Sequence, residues 1–262
     1  MPLFVPHTTI TGGEAVPLVG PLHRPLVGPL HRPDTTMGNI EDIRDTYVTA
    51  GTLDAGLEGW MAEVAPYQWR PVPPLVARDA ALLVVDMTRP FVDEGRPLSS
   101  PNALAVLPRI ASLAAAFRAA RRPVLWLVQG HHAVSHDRAG ILAEWWPTPI
   151  LEGTSDVEMA DGLAAAPGEK VIVKRRYDGF LGTDLELTLR TLGVASVVVC
   201  GVLTNVCPFA TAMGAFMRGF RVYYPADATA AANRDLHVGA LRTAAGWFAH
   251  VVRTADLVRW IS

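Results

Sequence analysis

Between Val197 and Met217 the chain reads Val-Val-Val-Cys-Gly-Val-Leu-Thr-Asn-Val-Cys-Pro-Phe-Ala-Thr-Ala-Met-Gly-Ala-Phe-Met, and this stretch leaves it little freedom. Val197 to Cys200 is a β-branched apolar run, Gly201 interrupts it, Thr204 and Asn205 are polar, and the remainder has helical spacing. The order is strand, turn, helix. Cys207 then falls beside the first backbone N–H groups of the helix, which lack partners inside it and carry the positive end of its dipole. A thiolate is favoured there, because that field lowers a thiol's pKa. Pro208 suits the first helical turn, where its missing N–H costs nothing. Taken alone, Cys207 has a second reading, as a small apolar side chain packing a helix under a sheet.

The surrounding segments repeat the pattern. Ala80 to Asp86 is an apolar run closed by an acid, which predicts a buried parallel strand with Asp86 at its carboxyl end. Asn102 to Arg122 has an N-cap-like start and alanine-rich helical spacing, and Pro123 to Val128 predicts a second strand. Lys170 to Val173 predicts a short third one that runs into Lys174, Arg175, Arg176 and Tyr177. Thr183 opens a helix to about Leu192 with Glu186 at the capping-box position. A strand from Arg221 to Pro225, a helix from Arg234 to about Ala249 and a strand from His250 to Arg253 complete the set. Alternating strands and helices predict an α/β fold, a three-layer α/β/α sandwich with a mostly parallel, Rossmann-like sheet. Ligands bind such sheets at the carboxyl ends of the strands. Asp86, Lys174 and Cys207 all fall there. The long segment from Gln129 to Asp161, with His131, His132, His136, Trp145 and Trp146, has a length that goes with lids and binding loops.

Residues 1–74 differ in kind and are expected to form a proline-rich arm with one or two helices, ahead of the α/β domain over 75–262. The octad Pro-Leu-Val-Gly-Pro-Leu-His-Arg occurs in tandem at Pro17 to Arg24 and Pro25 to Arg32. Proline fixes φ and removes donors, so this stretch cannot be a central strand or a long helix. Its leucines and valines need an apolar surface elsewhere, of the same domain or of a neighbouring subunit. Ile40 to Ala65 is acidic with helical spacing, interrupted by Gly51. With half of the residues hydrophobic and a net charge of −2, the chain has material for a large core and no electrostatic footprint for nucleic acid or an anionic membrane. No apolar run approaches the roughly eighteen residues that span a bilayer. Cys200 and Cys207 should diverge from a strand and its end, so no disulfide framework is expected and a reducing, cytoplasmic compartment is.

The segments Leu-Leu-Val-Val-Asp-Met, Lys-Arg-Arg-Tyr-Asp-Gly-Phe-Leu-Gly-Thr-Asp-Leu and Gly-Val-Leu-Thr-Asn-Val-Cys resemble the isochorismatase-like cysteine hydrolases, over about Ala80 to Ile261. The resemblance implies a catalytic triad of Asp86, Lys174 and Cys207, a cis peptide between Val202 and Leu203, and an oligomeric enzyme, here a homo-oligomer. The chemistry agrees with it. A thiol needs a base or cation at hydrogen-bond range to become a nucleophile, which makes Asp86 the candidate base and Lys174 the stabilising charge. The attacked carbonyl becomes an oxyanion, for which the N–H groups of Leu203 and Cys207 are candidate donors.

Two departures from the family pattern stand out. Its zinc-binding nicotinamidases carry Asp-x-His and a further His where this chain reads Gln129-Gly130-His131. No metal or other cofactor is therefore expected, although His132 and His136 lie at a spacing that suits a metal on a helix. Thr88-Arg89-Pro90 replaces a common Gln-Asn-Asp, so substrate contacts at that corner should differ, with Arg89 and Phe91 as candidates alongside Trp145, Trp146 and Tyr177. The expected activity is cleavage of an amide, carbamoyl, ureido or lactam C–N bond of a small molecule through a thioester. Vinyl-ether hydrolysis needs no thiol, and a non-catalytic interaction protein needs no triad.

Overall fold

The computed structural model describes residues 43–132, 141–146 and 148–262. The tandem octad, His136 and Pro147 lie outside the described residues. The elements run in the order α1 (Leu53–Val64), β1 (Ala80–Val85), α2 (Arg89–Val92), α3 (Ala103–Ala119), β2 (Val124–Gln129), α4 (Leu142–Trp145), β3 (Lys170–Lys174), α5 (Leu185–Thr191), β4 (Ser196–Val202), α6 (Cys207–Met217), β5 (Arg221–Pro225), β6 (Thr229–Ala230), α7 (Arg234–Trp247), β7 (His250–Val252) and α8 (Thr254–Ile261). The strands pair in the order β3-β2-β1-β4-β5-β7, with β6 on the far end of β4. Every strand pair is parallel. Strands β1, β2 and β4 are buried along their whole length, as continuous apolar runs demand when helices cover both faces.

This is the three-layer α/β/α sandwich that the alternation predicts. The chain leaves β1 toward β2 and β3, then returns to lay β4 on the other side of β1. Right-handed crossovers in the two directions put α3 and α6 on opposite faces. The reversal lies between β1 and β4, the crevice where open α/β sheets bind ligands. Gly201 lets the two strands close there. It pairs with Val85 at a φ of +114°, and a Cβ at Gly201 would stand 1.9 Å from the Val85 carbonyl oxygen.

Leu53, Leu57, Trp60 and Val64 on α1 share one buried core with the sheet, because the apolar stripe of that helix has nowhere else to go. Two local readings need correction. Asn102 does not cap α3 with its side chain. Its Oδ1 accepts from the Tyr47 and Val48 N–H groups and its Nδ2 donates to the Asp45 and Ala231 carbonyls, which ties residues 45–48 to the domain. Glu186 makes no capping box, being drawn 2.9 Å from Arg218, while Asp184 is the N-cap residue of α5. The sequence reading also missed α8, whose Leu257 and Ile261 are buried. Among the described residues no helix is long and apolar enough to cross a membrane.

On α7, His237 is fully buried, with Tyr47 and Trp60 rings against it and Thr204 Oγ1 2.8 Å from its Nδ1. Burial pushes its pKa down to about 3, against a smaller upward pull from the Ala226 backbone. The folded chain therefore refuses a proton that the unfolded chain accepts below about pH 6.5. Stability is complete above that value and falls with pH, by about 1.4 kcal/mol per unit, until the folded value is reached. Urea unfolding is expected to show a loss of about 2–3 kcal/mol between pH 7 and pH 4.5 that a His237→Gln variant lacks. Parallel pH curves for the two proteins would refute this.

Candidate active site

Asp86 is the first residue after β1, held at φ +54°, a conformation that Asp tolerates better than most residues. Its backbone N–H donates to Leu127 O at 2.9 Å, and its carboxylate points into the crevice with no exposure. The Oδ1 atom accepts from the Gln129 N–H at 2.9 Å, and Oδ2 lies 2.8 Å from Lys174 Nζ. Lys174 ends β3, two strands away, and is itself fully buried. Only a side chain of that length can cross the end of β2 to reach Asp86.

Cys207 opens α6, with Pro208 beside it in the first turn. The Asp86 carboxylate and the Lys174 ammonium both act on its thiol, so the three groups that the sequence keeps far apart converge. The loop before α6 is held by backbone bonds from Thr204 N to Ala230 O and from Val206 N to Leu203 O, and by Tyr224 Oη donating to Thr204 O. The Val202–Leu203 peptide is cis.

The electrostatics differ from the expectation of a resting thiolate. Burial, and then the Asp86 carboxylate, push the Cys207 thiol well up, and the nearby Lys174 ammonium offsets them only in part. Burial works against the charge of Lys174, but Asp86 and Cys207 outweigh it and raise its pKa. The helix field is local and modest, whereas desolvation of a buried sulfur acts at full strength. Burial and the carboxylate thus favour the protonated thiol beside the Asp86–Lys174 contact.

A cavity of about 150 Å³ opens over Cys207, lined also by Phe91, Leu98, Trp145, Trp146, Tyr177, Leu203 and Val206. Trp146 sits edge-on to Phe91 and tilted over Tyr177. A larger hollow of about 500 Å³ around Arg44, Arg96 and Ser99 contains none of the three reactive groups. Arg89 does not line the cavity, contrary to expectation. Asp93, Glu158 and Asp161 hold its guanidinium at 3.1–3.4 Å, a set of carboxylates the sequence could not place. Leu98 and Val206 were not foreseen, being plain apolar residues in loops.

His131 is buried, whereas His132 is exposed toward Glu152 and Arg175. A zinc ion would need a carboxylate where Gln129 stands, and the Gln129 oxygen is taken by Lys174. Among the described residues no three His, Cys, Asp or Glu side chains are grouped to hold a metal.

Cys200 lies inside the sheet with its sulfur against Leu83 O, and burial pushes its thiol up. Iodoacetamide is expected to alkylate Cys207 at least about tenfold faster than Cys200 in the folded protein, since only Cys207 faces a cavity and a cation. Peptide mapping by mass spectrometry reads the two rates, and equal rates would refute the assignment.

Residues 80–256 match the family model of the Isochorismatase domain. Nicotinamidase 3 of Arabidopsis thaliana is 36% identical over 184 residues, covering 69% of this chain and 87% of that protein. A ureidoacrylate amidohydrolase of Methylobacterium radiotolerans is 34% identical over 210 residues, covering 70% and 81% respectively. Among solved structures, a cysteine hydrolase from Pseudomonas syringae pv. phaseolicola superposes with a TM-score of 0.70 at 28% identity, over 74% of this chain and 98% of that one.

Proposed function

The chain belongs to the isochorismatase family, and on that premise we propose that it is a cysteine-dependent amidohydrolase cleaving a non-peptide C–N bond of a small molecule. The relatives named for amide hydrolysis support the reaction class. The observation that carries the mechanism is the Asp86–Lys174 pair acting on Cys207, which lines the cavity.

Asp86 takes the proton from Cys207 as the sulfur bonds to the substrate carbonyl carbon. A thiol held protonated until that moment is protected from adventitious reaction, and Lys174 keeps a positive charge beside the sulfur while the proton moves. The carbonyl oxygen gains the negative charge and accepts hydrogen bonds from the Leu203 and Cys207 N–H groups. As the tetrahedral carbon collapses, the C–N bond breaks and the amine leaves with the proton from Asp86. That leaves a thioester on Cys207. Asp86 then accepts a proton from water as its oxygen attacks the thioester, and returns it to the departing sulfur.

The cavity lining is apolar and aromatic, with the Tyr177 hydroxyl as its main polar group and no charged side chain among the described residues. Such a lining favours a compact, uncharged acyl group, flat enough to lie among Phe91, Trp146 and Tyr177. A free carboxylate next to the scissile bond would be desolvated there without a charged partner among the described lining residues. The test is an ammonia-release panel of neutral aromatic and aliphatic amides, N-carbamoyl amino acids, ureas and lactams. Turnover of neutral amides is expected, and exclusive turnover of carboxylate-bearing compounds would overturn the substrate reading. No release from any compound would overturn the reaction class.

A further inference from the structure

Gln129 touches both halves of the buried ion pair. It ends β2 and is the register partner of Lys174 on β3, so the lysine side chain must pass it to reach Asp86. The Gln129 backbone N–H donates to Asp86 Oδ1, and its side-chain Oε1 accepts from Lys174 Nζ, both at 2.9 Å. A carboxamide has two ends of nearly equal size and opposite chemistry. An ammonium carries donors and no acceptor, so the oxygen must face Lys174. The amide nitrogen then faces His131 Nε2 at 2.9 Å. That nitrogen can only donate, so His131 must present a lone pair at Nε2 and carry its proton on Nδ1. The imidazole is buried, and its backbone is paired with Ile150 O and Glu152 N.

We propose that Gln129 is a positioning residue for Lys174 and Asp86, and that His131 Nε2 locks its amide in the one orientation that serves them. With Asp86 and Gln129 each holding an N–H of the ammonium, its remaining donor turns toward the Cys207 sulfur and the Arg176 carbonyl. A flipped amide sets N–H against N–H and frees the lysine to turn away from the thiol. The inference rests on the amidohydrolase reading for its rate measurements, but not for its labelling measurement.

The experiment compares Gln129→Met, His131→Phe, His131→Gln and the double variant Gln129→Met/His131→Phe, each checked for folding by its thermal midpoint. Gln129→Met is expected to lower kcat about 100-fold with KM changed less than about threefold, the signature of misplaced reacting groups. His131→Phe should cost about tenfold, and the double variant should match Gln129→Met within about twofold, because His131 acts through Gln129. His131→Gln restores an acceptor near Nε2 and should stay within about threefold of wild type. Gln129→Met should also slow iodoacetamide alkylation of Cys207 about tenfold at pH 8, since the thiol loses an aligned cation. Full activity in His131→Phe, multiplied losses in the double variant, or a His131→Gln enzyme as slow as Gln129→Met would each overturn the proposal. If His131→Phe does not fold, the His131→Gln comparison decides. If wild type turns over no amide, the functional reading falls, and unchanged alkylation in Gln129→Met would be needed to overturn this one.

Discussion

Cys207→Ser is expected to lower kcat by about four orders of magnitude or more, in line with the loss of a nucleophile in other acyl-transfer enzymes. The substitution keeps the shape of the side chain at the start of α6, where Cys207 is 2% exposed, so the fold should survive. What changes is acidity. Burial and Asp86 already hold the thiol proton tightly, and a hydroxyl in the same place holds it far more tightly. Asp86 cannot remove it at neutral pH. Ammonia release gives the rate, and the thermal midpoint checks the fold. Intact mass spectrometry should find an acyl adduct on the wild-type protein, absent from the variant. A Cys207→Ser enzyme within tenfold of wild type would remove the sulfur from the mechanism.

Asp86→Asn should lower kcat by about three to four orders of magnitude, because a carboxamide neither takes the thiol proton nor returns it. Its second effect is on stability. Lys174 is fully buried and keeps its charge because Asp86 and Cys207 raise its pKa against the cost of burial. Removing one member of a buried ion pair costs about 3–5 kcal/mol, since the other charge is left uncompensated. The pH dependence reverses sign with it. In the wild type the raised folded pKa gives stability that is complete below the unfolded lysine value of about 10.4 and is lost as pH rises through the folded one. In the variant only Cys207 still opposes burial, which is the largest single effect on Lys174, so the folded pKa drops and stability rises with pH toward that unfolded value. The gap between the two proteins in urea unfolding should therefore narrow from pH 7 to pH 9. A near-normal kcat would show that Asp86 is not the base, and a gap independent of pH would show that Lys174 does not depend on it.

The sheet was legible in the sequence because each buried parallel strand is a short apolar run ended by a polar or turn residue, and that pattern is complete within six or seven positions. Ala80–Val85, Val124–Gln129 and Ser196–Val202 all fall where it predicts, to within a residue or two. The aromatic cluster over Cys207 was legible for a related reason, since Phe91, Trp146 and Tyr177 follow strand ends or lie in the long segment that returns to them. The two-residue β6 (Thr229–Ala230) is too short to carry any pattern and exists by pairing with β4, whereas α8 was overlooked although Leu257 and Ile261 stand four apart on one buried face.

The sequence by itself therefore determined the fold class and the three strand ends that carry Asp86, Lys174 and Cys207, all of them consequences of local composition and spacing. Tertiary structure alone decided what those groups feel. Whether the thiol is raised or lowered depends on burial and on a carboxylate from another strand. Arg89 was withdrawn from the cavity by Glu158 and Asp161, some seventy residues away. Gln129 gained its contacts with Asp86, Lys174 and His131 only because β2 lies between β1 and β3. Electrostatic and hydrogen-bond energies fall off with distance in space, and distance in space is what a linear sequence does not contain.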